Sequence, residues 1–162
     1  MIANLTEPTL FGLLTGCASS NRRRPRIRSI DHSEEAMLLV RYSLQAYSDG
    51  RYLLKWVESL SAGVEQLSKG GVDIVLLDLG LPDSSGPSTL DSVREAAPEV
   101  PVLVLTSDTR EETEFAAAAW GVDDYLVKDQ VSGAELVHIV RTLIDARRMQ
   151  KRQKAIGDRL LR

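Results

Sequence analysis

Two nearly uninterrupted apolar runs constrain the fold of this chain more than any other feature. Residues 72–77 read VDIVLL and residues 100–106 read VPVLVLT, and neither run alternates between apolar and polar side chains. A strand with one face in water alternates in this way, whereas a parallel strand covered by helices on both faces is apolar along its length. The two runs therefore predict central strands of a parallel sheet with helices on both of its faces.

A strand-then-helix order repeats along the rest of the chain. Strands are also predicted at residues 26–30, 51–57 and 124–128, although the first of these, RIRSI, is polar for a buried strand. Helices are predicted at residues 35–47, 61–69, 87–97 and 110–120, and from residue 132 onward. Five such units predict the α/β class, with a doubly wound five-stranded parallel sheet and an extended C-terminal helix.

Composition excludes several classes of protein. The 162 residues are 43% hydrophobic and 27% charged, which is ordinary for a globular domain. No stretch approaches the roughly 20 apolar residues that a membrane span needs. The single cysteine, Cys17, excludes an internal disulfide framework and agrees with a reducing compartment. We therefore expect a cytoplasmic protein with no membrane partner.

Charge is distributed unevenly along the sequence. Residues 22–28 hold five arginines, and residues 145–162 hold seven Lys/Arg against two Asp. Removing these twelve bases and two acids from the totals of 20 and 23 leaves 8 bases and 21 acids. Since an acidic body with basic ends is not a nucleic-acid-binding surface, we expect no nucleic acid partner.

The first 25 residues are interpreted as a poorly ordered leader. Within them LTGC, ending at Cys17, resembles a lipoprotein processing box. No Lys or Arg precedes it, and the apolar stretch before it is only about five residues long, which disfavours an export signal.

Four chemically active side chains stand where predicted strands end: Asp31, Asp78, Thr106 and Lys128. In open α/β sheets, ligands bind at the carboxyl ends of the strands. Each residue alone has an ordinary explanation, such as a helix cap or a solvated strand end. Together, two carboxylates suit Mg²⁺, and a carboxylate nucleophile needs a cation and a hydroxyl donor beside it. The set predicts a site that could stabilise an aspartyl phosphate.

Three sequence blocks resemble one family in order and spacing. DIVLLDLGLPDSSG, VPVLVLTSD and GVDDYLVK are similar to the signature blocks of the receiver domain of bacterial two-component response regulators, with the CheY-like fold. The resemblance covers about residues 26–147 and implies the flavodoxin-like strand order 2-1-3-4-5. It also implies that Asp78 is the phosphoacceptor, Thr106 the switch hydroxyl, Lys128 its charge partner and Tyr125 the switch aromatic.

The resemblance further implies partners and a cofactor. A sensor histidine kinase would donate the phosphoryl group, and Mg²⁺ would be held by Asp31, Asp78 and the main-chain carbonyl of Gly80. Phosphorylation of Asp78 would then change the conformation of the face formed by the fourth and fifth strand-helix units. Beyond slow self-phosphorylation and self-dephosphorylation, no enzymatic activity is implied.

Two positions depart from the family pattern. The family usually ends its first strand with a pair of acids, whereas this block reads RSIDHSEEAMLL. Ile30 is interpreted as standing at the first acid position, which predicts weaker Mg²⁺ binding and slower phosphorylation. Asp129 follows Lys128, where the family commonly has proline.

Residues 148–162 form a predicted basic helical tail. They are too few for a helix-turn-helix, so we expect no DNA-binding output domain and a protein as the downstream partner. Positions at 3-4-3-4 spacing, all apolar except Gln153, predict a homodimer seam along this last helix, whereas Gln153 and Gly157 favour a solvated tail. The seam comprises Ala146, Met149, Gln153, Ile156 and Leu160.

Alternative functions follow from the same residues. Ile30 supports a pseudo-receiver that serves as a docking module and is never phosphorylated. A phosphohydrolase of the haloacid dehalogenase type would need a general acid two residues after its nucleophile, where this chain has Gly80. A flavodoxin would need phosphate donors after the first strand, where the sequence reads DHSEEA. The two histidines, His32 and His138, are predicted to be structural or solvent-facing.

Overall fold

The computed structural model describes residues 23–107 and 121–162. The predicted helix at 110–120 and most of the predicted leader therefore lie outside the described residues. The elements in chain order are β1 (Arg26–Ile30), α1 (Glu34–Ser48), β2 (Leu53–Val57), α2 (Leu60–Ser68), β3 (Ile74–Leu77), β4 (Gly80–Leu81), β5 (Ser84–Ser85), α3 (Pro87–Ala96), β6 (Val102–Thr106), β7 (Asp124–Val127) and α4 (Gly133–Leu160).

Five strands form one parallel sheet in the order β2-β1-β3-β6-β7. Counted along the chain, these are the first to fifth strands of the sheet, so the predicted order 2-1-3-4-5 is confirmed. The short strands β4 and β5 pair antiparallel in a separate hairpin directly after β3. The sequence analysis did not predict this hairpin.

Apolar side chains cover both faces of the central strands. Leu76 and Leu103 belong to a buried cluster with residues of α1 and α4, whereas Leu77 and Val104 belong to a second cluster with residues of α2 and α3. Every residue of β3 and β6 is buried. The prediction from the non-alternating runs is therefore confirmed.

β1 is buried in spite of its polar sequence. Arg28 is only 6% exposed, and its Nε and Nη1 atoms have no hydrogen-bond partner among the described residues. Burial lowers the pKa of the Arg28 guanidinium, and the charge of Arg26 lowers it further. At the other end of β1, Ile30 packs so closely on α2 that a Cβ added at Gly63 would lie 2.4 Å from Ile30 Cδ1.

Serine side chains cap three of the helices. Ser33, Ser59 and Ser132 precede α1, α2 and α4, and each accepts a hydrogen bond from the backbone N–H three residues later. Such caps satisfy an N–H that has no partner within the helix. Because Ser33 follows β1 by only three residues, the cap also fixes the loop that leaves the sheet.

α4 continues as one helix through the predicted basic tail. Its buried residues end at Ile144, and Met149, Ile156 and Leu160 are 60%, 60% and 81% exposed. Dimerisation along this side of α4 stays a prediction. Within the two described ranges, no helix combines the length and apolar character that crossing a membrane requires.

Candidate functional site

The carboxyl ends of four neighbouring strands meet at one edge of the sheet. Asp31 directly follows β1, Asp78 follows β3, Thr106 ends β6, and Lys128 follows β7. Backbone hydrogen bonds between neighbouring strands hold all four residues in place. Asp31 N–H donates to Val57 C=O at 3.1 Å, Asp78 N–H to Ile30 C=O at 2.9 Å, and Lys128 N–H to Thr106 C=O at 2.8 Å.

An ion-pair cluster joins three of the predicted site residues. Lys128 Nζ lies 2.6 Å from Asp31 Oδ2 and 3.5 Å from Asp78 Oδ2. The side chains are 12%, 2% and 9% exposed for Lys128, Asp31 and Asp78 respectively. Two carboxylates this well buried need a cation beside them, and the lysine ammonium supplies that charge. The structure therefore brings together the aspartates and lysine that the sequence analysis placed at strand ends.

The loop after β3 holds the Asp78 carboxylate. Gly80 N–H donates to Asp78 Oδ1 at 3.1 Å. Gly80 pairs with Ser85 across the β4–β5 hairpin, and Gly86 N–H donates to Leu79 C=O at 3.1 Å to close the loop. Gly86 has φ 66° and ψ −148°, a conformation that is essentially restricted to glycine. The hairpin therefore fixes the backbone next to Asp78.

The far side of this hairpin is tied to α2 by Asp83. Its carboxylate accepts the backbone N–H groups of Leu60 at 2.8 Å and Ser61 at 3.0 Å. Those N–H groups, first of Ser61 and then of Leu60, lower the pKa of Asp83. The loop that carries Asp78 is thus anchored to the neighbouring helix.

Asp31 is oriented by its own turn and by a tryptophan. Its Oδ1 accepts Ser33 N–H at 2.8 Å, which leaves Oδ2 for Lys128. Trp56 Nε1 donates to the main-chain carbonyl of Asp31 at 2.6 Å. The sequence analysis did not identify Trp56, because an indole in a predicted strand carries no signal for such a contact.

His32 is a site residue that the sequence analysis missed. Its Nδ1 lies 3.2 Å from Asp78 Oδ2, and its side chain is 53% exposed. The prediction that His32 is structural or solvent-facing agrees with the exposure of the ring but did not include its contact with the Asp78 carboxylate. The sequence feature that could have identified His32 as a site residue is its position directly after Asp31, in the loop at this edge of the sheet.

The interpretation of Ile30 as the substituted acid position was wrong. Ile30 is 0% exposed, and its side chain packs in the apolar cluster beside α2. The residue next to Asp31 whose side chain reaches the site is His32. The departure from an acid pair therefore lies at His32.

Thr106 and Tyr125 occupy the β6–β7 side of the site. Thr106 is 7% exposed at the end of β6, and Tyr125 lies opposite Val104 in β7 and packs against the same apolar cluster as Leu77. Their assigned switch roles stay predictions. Asp108, two residues after Thr106, lies outside the described residues.

The donor atoms at this edge fit a divalent cation. One ligand atom each from Asp31, His32 and Asp78 lies within 4.8 Å of the others. Carboxylate oxygens are the donors that Mg²⁺ takes in proteins, whereas imidazole nitrogen suits transition metals. The set could therefore hold a metal ion, with a mixed rather than all-oxygen ligand sphere.

Comparison with known proteins decides the family. Residues 27–141 match the response regulator receiver domain. This chain belongs to that family. It carries the receiver domain of a two-component response regulator, with the CheY-like fold.

Curated relatives are transcriptional and motility regulators. The chain is 34% identical over 110 residues to the transcriptional regulatory protein PcoR of Escherichia coli, covering 68% of this chain and 48% of that protein. It is 37% identical over 75 residues to the swarming motility regulation protein RssB of Serratia marcescens, covering 46% of this chain and 34% of that protein. The chain thus matches half or less of the length of these relatives.

Solved structures share the fold. The signal receiver domain of an HD domain-containing protein from Pseudomonas fluorescens superposes with a TM-score of 0.70 at 23% identity, covering 84% of this chain and 98% of that one. NtrX from Brucella abortus superposes with a TM-score of 0.72 at 18% identity, covering 85% of this chain and 30% of that one.

Proposed function

We propose that this receiver accepts a phosphoryl group on Asp78 from a sensor histidine kinase. The observation that supports this most is the position of Lys128, whose ammonium lies against both Asp78 and Asp31. A carboxylate is a weak nucleophile unless neighbouring groups balance the negative charge that develops in the transition state. A cation that already lies beside the carboxylate can do this.

The proposed reaction moves one phosphoryl group between two proteins. An Asp78 oxygen attacks the phosphorus of the kinase phosphohistidine, the new O–P bond forms, and the P–N bond breaks. The electron pair of that bond returns to the departing imidazole nitrogen, which takes a proton from water. Lys128 balances the charge on the product, and the Thr106 hydroxyl donates a hydrogen bond to a phosphoryl oxygen.

A divalent cation would complete this site. Asp31, Asp78 and the main-chain carbonyl of Gly80 would hold Mg²⁺, and His32 lies beside them. When bound, the cation neutralises phosphoryl oxygen charge. The residues of the chain itself orient Asp78, through Gly80 N–H and Lys128, and exclude bulk water from Asp31.

Phosphorylation would be read as a change of surface. The phosphoryl group adds a charge of about −1.5 to −2 at neutral pH. That charge would draw Lys128 and Thr106 toward the phosphoryl oxygens and let Tyr125 turn inward, which would change the face that the sequence analysis assigns to the fourth and fifth strand-helix units. A downstream protein would bind this altered face.

One observation favours a second function. His32 stands 3.2 Å from Asp78 where the family usually has an acid, and a site short of one carboxylate binds Mg²⁺ less well. This favours a docking module that is not phosphorylated.

The mass of the intact protein after incubation with acetyl phosphate and Mg²⁺ separates the two functions. We expect a gain of one phosphoryl group in the wild type and none in Asp78→Asn. Asp91→Asn, which alters an exposed carboxylate on α3, is the matched control and should gain the group. No gain in the wild type at any Mg²⁺ concentration would contradict the proposal and favour the docking module.

A further inference from the structure

We propose that the Asp31–His32–Asp78 site is tuned toward a transition metal that accepts a nitrogen ligand, with His32 as the residue that shifts the preference away from Mg²⁺. The biological role of this metal rests on the proposed phosphoacceptor function. The binding preference itself rests on the geometry of the three side chains.

The spacing of the donor atoms fits a shared ion. Two neighbouring ligands of an octahedral ion at about 2.1 Å are about 3.0 Å apart, and opposite ligands are about 4.2 Å apart. His32 Nδ1 and Asp78 Oδ2 are 3.2 Å apart, close to the first value. The full set, with one atom from each residue, spans at most 4.8 Å, so a shift of less than 1 Å brings all three into range.

The orientation of the imidazole suits this role. Nδ1 faces the carboxylate while the ring as a whole is 53% exposed. Neutral histidine keeps one nitrogen free as a metal ligand and carries its proton on the other. With Nδ1 bound to the ion, Nε2–H can be satisfied by water without any rearrangement of the fold.

The carboxylates alone make a poor Mg²⁺ site. Asp31 Oδ1 is occupied by Ser33 N–H, and Asp31 Oδ2 and Asp78 Oδ2 are shared with Lys128. Mg²⁺ gives up water reluctantly and gains little from imidazole, whereas Co²⁺, Ni²⁺ and Zn²⁺ bind imidazole well. His32 therefore contributes more to binding of these ions than to binding of Mg²⁺.

Calorimetric titration with Co²⁺ and with Mg²⁺ tests this preference in the full chain. Any oxygen site binds Co²⁺ more tightly than Mg²⁺, so the informative quantity is the ratio of the two dissociation constants, Kd(Mg²⁺)/Kd(Co²⁺). We expect His32→Asp to lower this ratio at least tenfold, through tighter Mg²⁺ binding and weaker Co²⁺ binding. The chain has one other histidine, so His138→Asp is the matched control and should leave the ratio unchanged.

Tryptophan fluorescence gives an independent, local readout. The chain has two tryptophans, and Trp56 donates to the Asp31 carbonyl. In a Trp120→Phe background, Co²⁺ bound at the site should quench Trp56 at the dissociation constant found by calorimetry. Adding His32→Asp should move that midpoint, and adding His138→Asp should not.

A ratio that changes less than twofold in His32→Asp, or Co²⁺ binding that leaves Trp56 unquenched, would overturn the inference. Phosphorylation of Asp78 is measured separately, by the mass of the same intact proteins after incubation with acetyl phosphate. An unchanged ratio with a phosphorylated Asp78 rejects only the metal preference. A shifted ratio with no phosphorylation at any metal concentration rejects only the phosphoacceptor function.

Discussion

Replacing Lys128 with methionine should destabilise the metal-free protein strongly. The ammonium lies 2.6 Å from Asp31 Oδ2 and 3.5 Å from Asp78 Oδ2. At an effective dielectric constant of about 20, these distances correspond to attractions of about 6 and about 5 kcal/mol. The cost of removing the ammonium from water, several kcal/mol, offsets much of this sum.

The net loss in Lys128→Met should therefore be about 3–5 kcal/mol of unfolding free energy, since the variant leaves two buried carboxylates without their cation. Urea unfolding in EDTA, followed by tryptophan fluorescence, measures this loss. Lys69→Met is the matched control, because Lys69, the residue after α2, forms an exposed pair with Glu65, and removing this pair should cost less than about 1 kcal/mol.

Added divalent cation should restore part of the stability of Lys128→Met. With the ammonium gone, the metal is the remaining counter-charge for Asp31 and Asp78, and binding to the folded state alone stabilises it by mass action. A loss below about 1 kcal/mol in EDTA, or equal losses for Lys128→Met and Lys69→Met, would refute the assignment of Lys128 as the charge balance of this site.

Three further changes test the fold around the site. Arg28→Met should raise the unfolding free energy measured in urea by about 1 kcal/mol or more, because it removes a buried charge whose Nε and Nη1 have no hydrogen-bond partner among residues 23–107 and 121–162; a destabilised variant would contradict this. Gly63→Ala should lower the unfolding free energy by about 1–3 kcal/mol, because the added Cβ would lie 2.4 Å from Ile30 Cδ1. The double variant Gly63→Ala/Ile30→Val, which lacks Cδ1, should be at least about 0.5 kcal/mol more stable than the sum of the two single losses predicts. The backbone N–H groups of Ser61 and Leu60 lower the pKa of Asp83, so its contribution to stability is present above the unfolded-state value of about 4 and is lost as the pH falls through the lower folded-state value. The stability difference between wild type and Asp83→Asn should therefore shrink as the pH falls below about 4, and a difference that grows in acid would be inconsistent with this capping role.

The sequence was sufficient to predict the sheet and the charged core of the site. β3 and β6 are recognisable because burial on both faces demands apolar residues at every position. Asp31, Asp78 and Lys128 are recognisable because parallel strands bring their carboxyl ends to one edge. The sequence analysis did not use Ser33, Ser59 and Ser132 as helix-start signals, although serine is a favoured cap residue.

Other features depend on contacts that the sequence pattern does not contain. The β4–β5 hairpin has two residues per strand, too few to show a period. The predicted second strand began at residue 51, yet Arg51 N–H donates to Ser48 C=O in a turn, and the ladder starts only at Leu53. The roles of Ile30 and His32 were misjudged although the predicted bounds of β1 were correct, because the acid pair of the family was matched one residue too early. Ile30, the last residue of β1, is buried in the core, and the side chain that reaches Asp78 belongs to His32 after Asp31.

α4 is long enough for a small rotation of its packed part to become a large displacement at its C-terminal end. Its buried residues end at Ile144, and the sixteen residues from there to Leu160 extend about 24 Å at 1.5 Å per residue. A tilt of about 10° at the packed end would carry Leu160 through about 4 Å at this reach. Gly133, at the start of α4, lies so close to α1 that a Cβ there would be 2.8 Å from Ser43 Oγ, so this end of the helix packs tightly against α1. A displacement too small to detect near the strand ends would therefore be several ångströms at the tip of the helix.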